Sequence, residues 1–212
     1  MLILLKASRR GEVRTMPAIG ITGGISTGKS TFCECLREIV PAAKFFNADE
    51  AAHALVELPE VKKKIRREFG AAVFSTEEDL NRERLRTIIF AEATKKRALE
   101  RILHPRIRRQ WRAEAEKHRN SLNFFFADIP LLYETGGETL CDRVVAVACS
   151  RKMQVGRLMR RMSLEVFEAE QMINSQMSLE EKMSRADHVV WNNDDRRALM
   201  EQAKNLVALW RG

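Results

Sequence analysis

Five short apolar runs punctuate the chain, at residues 18–22, 44–48, 122–127, 143–148 and 189–191. None alternates apolar with polar positions, and the third carries Phe124-Phe125-Phe126 in succession. Runs of this kind predict strands buried on both faces, as in a parallel sheet covered by helices on each side. The stretches between them have helical spacing. One helix is expected from Lys29 to about Ile39, with Pro41 stopping it. Strands separated by helices predict an α/β fold with a doubly wound, parallel five-stranded sheet.

Two helical stretches, 51–118 and 150–186, exceed an ordinary crossover helix. They are expected to be insertions, the first a helical subdomain and the second a lid. The core would then consist of 16–50, 119–149 and 187–212, together one domain. Within the lid, Ser163 is placed to start a helix with Glu165 in its first turn. Ser178-Leu179-Glu180-Glu181 has the form of a capping box, in which Ser178 and Glu181 each satisfy a free backbone donor.

Composition narrows the setting. With 212 residues the chain can bury a sizeable core. No apolar stretch approaches the roughly 20 residues needed to span a bilayer. Residues 1–5 are apolar, but Lys6, Arg9 and Arg10 follow, which inverts the order of a secretory signal. Residues 1–15 are expected to be a disordered extension or a misassigned start ahead of Met16. Cys33, Cys35, Cys141 and Cys149 match no zinc spacing, so reduced thiols in a cytoplasmic protein are expected, as a monomer or weak homo-oligomer. The net charge of +8 concentrates in Lys62-Lys63-Lys64, Arg66-Arg67 and the 101–112 stretch. Such runs are either solvated helix faces or an attraction for a phosphate-rich ligand or nucleic acid, and composition does not choose. Apart from Trp111, no aromatic residues interleave with the basic ones for base stacking, so neither nucleic acid nor membrane is expected as a partner.

The chemistry begins at Gly23-Gly24-Ile25-Ser26-Thr27-Gly28-Lys29-Ser30, followed by Thr31. The glycines let successive N–H groups curl around phosphates where side chains would clash. Lys29 reaches the β- and γ-oxygens, the Ser30 hydroxyl ligates Mg²⁺, and the helix starting at Lys29 aims its positive dipole end at the anion. The strand before it and the helix after it are the context this phosphate loop requires.

A second feature is Asn47-Ala48-Asp49, at the carboxyl end of the second strand, where ligands sit in such sheets. If the strand persists, Asn47 and Asp49 project to one side, and Asp49 can orient an acceptor hydroxyl. Alternatively Asp49 caps the helix that follows. In the lid, Gln154, Arg157 and Arg161 share a helix face, so the two arginines can meet a triphosphate together, with Arg160 a competitor. Asp128, after the third strand, either holds Mg²⁺ through water or fixes the turn before Pro130.

Taken in order, these residues resemble dephospho-CoA kinase. The series runs from Thr22-Gly23-Gly24-Ile25 and Gly28-Lys29-Ser30-Thr31 through Ala48-Asp49, Leu80-Asn81-Arg82, Leu85-Arg86, Phe90 and Leu103-His104-Pro105. It continues with Asp128-Ile129-Pro130-Leu131-Leu132-Tyr133-Glu134, Gln154, Arg157, Arg161, Gln176, Lys182, Ala186-Asp187 and Asn192. The resemblance covers about residues 18–195. It implies a P-loop kinase-like fold that uses ATP and Mg²⁺ to phosphorylate the ribose 3′-hydroxyl of dephospho-CoA. Asp49 would engage that hydroxyl, with Lys29, Arg157 and Arg161 acting on the phosphoryl group. Arg82, His104, Pro130 and Leu131 would form the CoA-side pocket, and Asn192 would lie near the adenine of ATP. Four positions depart from the pattern, one of them Thr27, where serine is usual. Ser26 replaces a usual glycine, so the backbone there is expected to be one that a non-glycine residue tolerates. Asn47 replaces a frequent aspartate, and Tyr133 a common phenylalanine.

Overall fold

A computed structural model describes residues 17–76, 79–119 and 121–212. The extension expected over 1–15 lies outside the described residues, as does the side chain of Phe90. Strands β1 (Ala18–Gly23), β2 (Lys44–Asn47), β3 (Phe125–Asp128), β4 (Arg143–Ala148) and β5 (His188–Trp191) form one parallel sheet in the order β2-β3-β1-β4-β5. The chain leaves β1 to one side for β2 and β3 and returns past it for β4 and β5. That reversal opens a crevice at the carboxyl end of β1.

The unbroken apolar runs follow from double-sided burial. Phe126, Ile19, Ile21, Val145 and Val147 face α1 (Lys29–Ile39) and α9 (Arg196–Arg211) through Phe32, Leu36, Leu199 and Val207. The alternate residues Phe125, Ala127 and Val144 face the opposite way, against Trp111 and Leu132. β3 begins at Phe125, three residues after the expected start, with Leu122 exposed at a bend before it.

The segment 51–118 is helical as expected, although its first helix starts at Ala48. It consists of α2 (Ala48–Leu55), α3 (Pro59–Phe69), α4 (Arg82–Ala91) and α5 (Ala93–His118), with an isolated antiparallel bridge between Phe74 and Leu80. These helices have a core of their own around Leu55, Val61, Ile65, Val73, Leu85 and Leu103. Pro105 lies inside α5 and withholds the N–H that the Arg101 carbonyl would accept. In the same turn the Arg106 guanidinium donates to the Ile102 carbonyl at 2.9 Å.

The lid comprises α6 (Arg151–Met162), α7 (Val166–Asn174) and α8 (Leu179–Arg185), packed around Leu158, Ala169 and Ile173. Ser163 does not start a helix. It ends α6 in the left-handed conformation, at φ 53°, and the α7 cap is Glu165, in a reciprocal box with Glu168. Two carboxylates thus do what a hydroxyl was expected to do, since either group can accept from the backbone donors of a first turn. The second expected box is half present. Ser178 accepts from the Glu181 N–H at 3.1 Å, while the Glu181 carboxylate turns toward Arg185 at 3.9 Å. No helix among the described residues is long and apolar enough to cross a membrane.

Candidate active site

The segment from Gly23 to Ser30 links β1 to α1, and its shape is fixed from behind by the lid and by the loop after β5. The Gln154 amide donates to the Ile25 carbonyl at 2.8 Å, and the Asn192 amide to the Thr27 carbonyl at 2.9 Å. Arg157 reaches that same Thr27 carbonyl at 3.4 Å. With these carbonyls drawn outward, the Thr27 N–H turns to the Gly24 carbonyl at 3.4 Å, and the unpaired donors of the first turn of α1 stand beside the loop. Gly28 has φ 97°, and a Cβ there would lie 1.9 Å from the Asn192 amide nitrogen, so both conformation and space demand glycine.

Ser26 is different. Its φ of 59° lies in the small left-handed region that favours glycine but that single non-glycine residues also occupy. Its hydroxyl is buried without a hydrogen-bond partner. Contacts to the Ile25 and Thr27 carbonyls hold the backbone on either side of it.

Lys29 folds back over the loop and donates to the Gly24 carbonyl at 3.1 Å. Burial lowers its pKa from the usual lysine value, while Asp128 and Asp49 act in the opposite direction. Asp128 stands at the end of β3, in register with Asn47 of β2 and Ile21 of β1. Burial raises its pKa, Lys29 opposes that rise, and Asp49 adds to it. One carboxylate oxygen is buried with no partner. The turn after β3 is held by other groups, Thr22 donating its hydroxyl to the Pro130 carbonyl at 3.1 Å and Ile129 its N–H to Ile21 at 2.9 Å. Of the two readings of Asp128, fixing that turn finds no support here.

The second strand does not persist to Asp49. It stops at Asn47, whose side chain accepts from the N–H groups of Asp49 and Glu50 at 2.8 and 3.0 Å and starts α2. Asparagine is a strong cap, so the helix wins over continued strand. Because Asn47 does the capping, Asp49 keeps an exposed carboxylate in the first turn of α2, at the wall of a cavity of about 530 Å³.

That cavity lies between α2, α5 and the 129–135 loop. Its wall includes Ala52, Leu99, Leu103, Ile107 and Trp111 together with His104, Pro130 and Leu131. His104 is half-buried, and burial, aided by Lys96, holds its pKa below the usual histidine value against the pull of Glu100. Arg82 does not line the cavity. It is paired with Glu57, and its guanidinium also reaches the His53 carbonyl, on the outer side of α2. A smaller cavity of about 270 Å³ beside the start of α1 is lined by Gly28, Thr31, Arg157, Asn192, Asp194 and Arg196. Asn192 therefore braces the loop and also edges this space. Arg161 and Arg160 are exposed farther along α6, away from the loop carbonyl that Arg157 touches.

Two residues had no site role assigned from the sequence, although Lys182 belongs to the series that resembles the family. Trp111 belongs to the cavity wall, and the spacing Leu103, Ile107, Trp111 on one helical face was the available signal. Of the arginines near it, Arg108 also lines the cavity, while Arg101, Arg109 and Arg112 are exposed. Lys182 is completely buried, donating to the Pro130 carbonyl at 2.8 Å and pairing with Glu134 at 2.9 Å. Nothing in the polar sequence of α8 announces that burial.

A family model described as dephospho-CoA kinase matches residues 17–197. A dephospho-CoA kinase of Anaeromyxobacter dehalogenans is 42% identical over 200 residues, covering 93% of each chain. Among solved structures, a Thermus thermophilus protein superposes with a TM-score of 0.74 at 31% identity, over 92% of this chain and 98% of that one. The dephospho-CoA kinase from Campylobacter jejuni gives 0.66 at 25% identity, over 90% and 95%. The phosphate loop, the uncapped carboxylate beside it and the apolar cavity beyond thus occur in a chain that belongs to the dephospho-CoA kinase family.

Proposed function

We propose that the family's reaction, ATP-dependent phosphorylation of dephospho-CoA to CoA, runs across the gap between two walls of one crevice. The chain is a kinase, and the phosphate loop is its donor wall. Asp49 and the 530 Å³ cavity are the acceptor wall. The loop N–H groups and Lys29 bind the β- and γ-phosphates of ATP, with its adenine on the side of Asn192 and Thr31. The acceptor enters with the ribose 3′-hydroxyl toward Asp49. Its remaining length follows the apolar wall past His104, Pro130 and Leu131, where uncharged parts of the molecule replace water. Arg82 is proposed to reach the acceptor only after releasing Glu57.

Asp49 accepts the hydrogen bond of the hydroxyl and aims its oxygen at the γ-phosphorus. The new oxygen–phosphorus bond forms as the bond to the β-phosphate oxygen breaks, ADP leaves, and the hydroxyl proton passes to the Asp49 carboxylate. Since such transition states are loose, orientation by Asp49 counts for more than early proton removal. Lys29 and Arg157, with Arg161 brought in by the lid, balance charge on the transferring oxygens.

The residues present suit Mg²⁺. The Ser30 hydroxyl is exposed at the helix start, and Asp128 offers a buried carboxylate oxygen without a protein partner. Those two groups would hold the ion, Asp128 through water, and when bound it neutralises phosphate charge. Lys29 beside Asp128 opposes the rise that burial imposes on the pKa of that carboxylate.

The observation that carries this reading is the free carboxylate of Asp49, released from capping by Asn47 and set between phosphate loop and cavity. A coupled assay comparing dephospho-CoA with AMP, dTMP and adenosine tests it. ADP release is expected with dephospho-CoA far above the rest, and equal turnover of a nucleoside or nucleotide would overturn it.

A further inference from the structure

Lys182 is an expensive residue in its position. Its side chain has no exposed surface, and an ammonium group is costly to bury unless each contact is good. An apolar side chain of similar volume would fill the same place, so the charge calls for a purpose other than packing.

Its contacts supply one. The ammonium meets the Pro130 carbonyl at 2.8 Å and the Glu134 carboxylate at 2.9 Å, and both of those residues line the acceptor cavity. The same Pro130 carbonyl accepts from Thr22, one residue before the phosphate loop, at 3.1 Å. The same Glu134 oxygen accepts from the Met177 N–H, in the turn before α8, at 3.1 Å. The donor strand, the acceptor wall and the lid therefore converge on two oxygens, and Lys182 bridges them. Its charge also bears on Lys29, whose pKa it helps to lower.

We infer that Lys182 is a positioning residue for the acceptor, holding the 129–135 loop at the depth where a bound acceptor presents its hydroxyl to Asp49. This inference rests on the acceptor assignment above. It acts through Pro130 and Glu134, with Lys182 itself shielded from substrate.

The test is steady-state kinetics on Lys182→Met, Glu134→Gln and the double variant, paired with calorimetric titration of dephospho-CoA in the absence of ATP. Lys182→Met should raise the KM for dephospho-CoA, and weaken its binding, by about tenfold or more while the KM for ATP stays within about twofold. Glu134→Gln should act in the same direction and less. The double variant should be no worse than Lys182→Met alone, because both residues act on one loop. Equal rises in both KM values, or unchanged acceptor binding in a folded variant, would overturn the inference. Should Lys182→Met fail to fold, Glu134→Gln decides, since a normal acceptor KM there overturns it equally. Wild-type protein that binds dephospho-CoA without phosphorylating it would refute the reaction assignment, and the binding comparison would still decide the role of Lys182.

Discussion

The phosphate loop and the cavity proposed for the acceptor meet at the same strand ends, yet they are held in opposite ways. Around the loop, a polar contact fixes each turn of the backbone: Gln154 at Ile25, Asn192 and Arg157 at Thr27, Lys29 at Gly24. Around the cavity the wall is mostly aliphatic and aromatic, drawn from α2, α4 and α5 and from one loop of the core. Phosphate is the same in every nucleotide and needs a rigid ring of donors, whereas a long acceptor needs volume and a single well-aimed carboxylate. Such a loop should tolerate a poor residue at one position, while the acceptor side should depend heavily on Asp49 and on the loop bearing Pro130.

The largest effect is expected for Lys29→Ala, which strips the donor wall of its cation. A loss on the order of 10³ in kcat/KM, with weaker ATP binding, is the expected result, and initial-rate kinetics with ATP varied would check it. Asp49→Asn should come next and break the comparison on the other side. Its kcat should fall by roughly 10²–10⁴ while ATP affinity, measured by titration, remains close to that of the wild type. If both variants damaged ATP binding alike, the two walls would not be separable.

Asp128→Asn should split activity from stability. Because burial raises the pKa of Asp128 in the fold, its ionised form is disfavoured there, and stability is lost as pH rises through that folded value. At neutral pH the neutral amide should therefore raise the melting temperature while kcat falls by about 10–100-fold, as for lost metal-shell groups. In the wild type, activity should decline on acidification at a pH above the ordinary aspartate range, as Asp128 takes up a proton. Calorimetry across pH, alongside rate profiles, would show whether the two effects have opposite signs.

Ser26→Gly should have the smallest kinetic effect. It removes a left-handed non-glycine residue and a buried, unpartnered hydroxyl, for a net gain of about 1 kcal/mol after the flexibility that glycine adds to the unfolded chain. The KM for ATP should stay within about twofold, and a larger change would mean that the Ser26 hydroxyl contributes to the donor wall.

Much of this was legible in the sequence because it is local. The five strands follow from short apolar runs, α1 from a glycine start and a proline stop, and the phosphate loop from its spacing. Where two groups compete for one local task, the sequence was less decisive. Asn47 and Asp49 can both cap, and only the backbone geometry shows that Asn47 does so and leaves Asp49 free. Ser163 and Glu165 can both cap as well, and the left-handed turn at Ser163 gives that place to Glu165. Arg82 has the right residue type for a substrate contact, but a carboxylate 25 positions away in the chain engages it.

The sequence by itself determined the phosphate loop, the α/β class and the ordered residues that resemble the family. These depend on neighbours a few positions apart, whose conformations steric and hydrogen-bond rules restrict. Only the tertiary structure decided which side chains share an environment. Burial of Lys182, isolation of the Asp128 oxygen and closure of a cavity by Trp111 and Pro130 each require segments tens of residues apart to pack together. Desolvation and long-range pairing set the energies of those groups, and neither is a property of a residue and its neighbours in sequence.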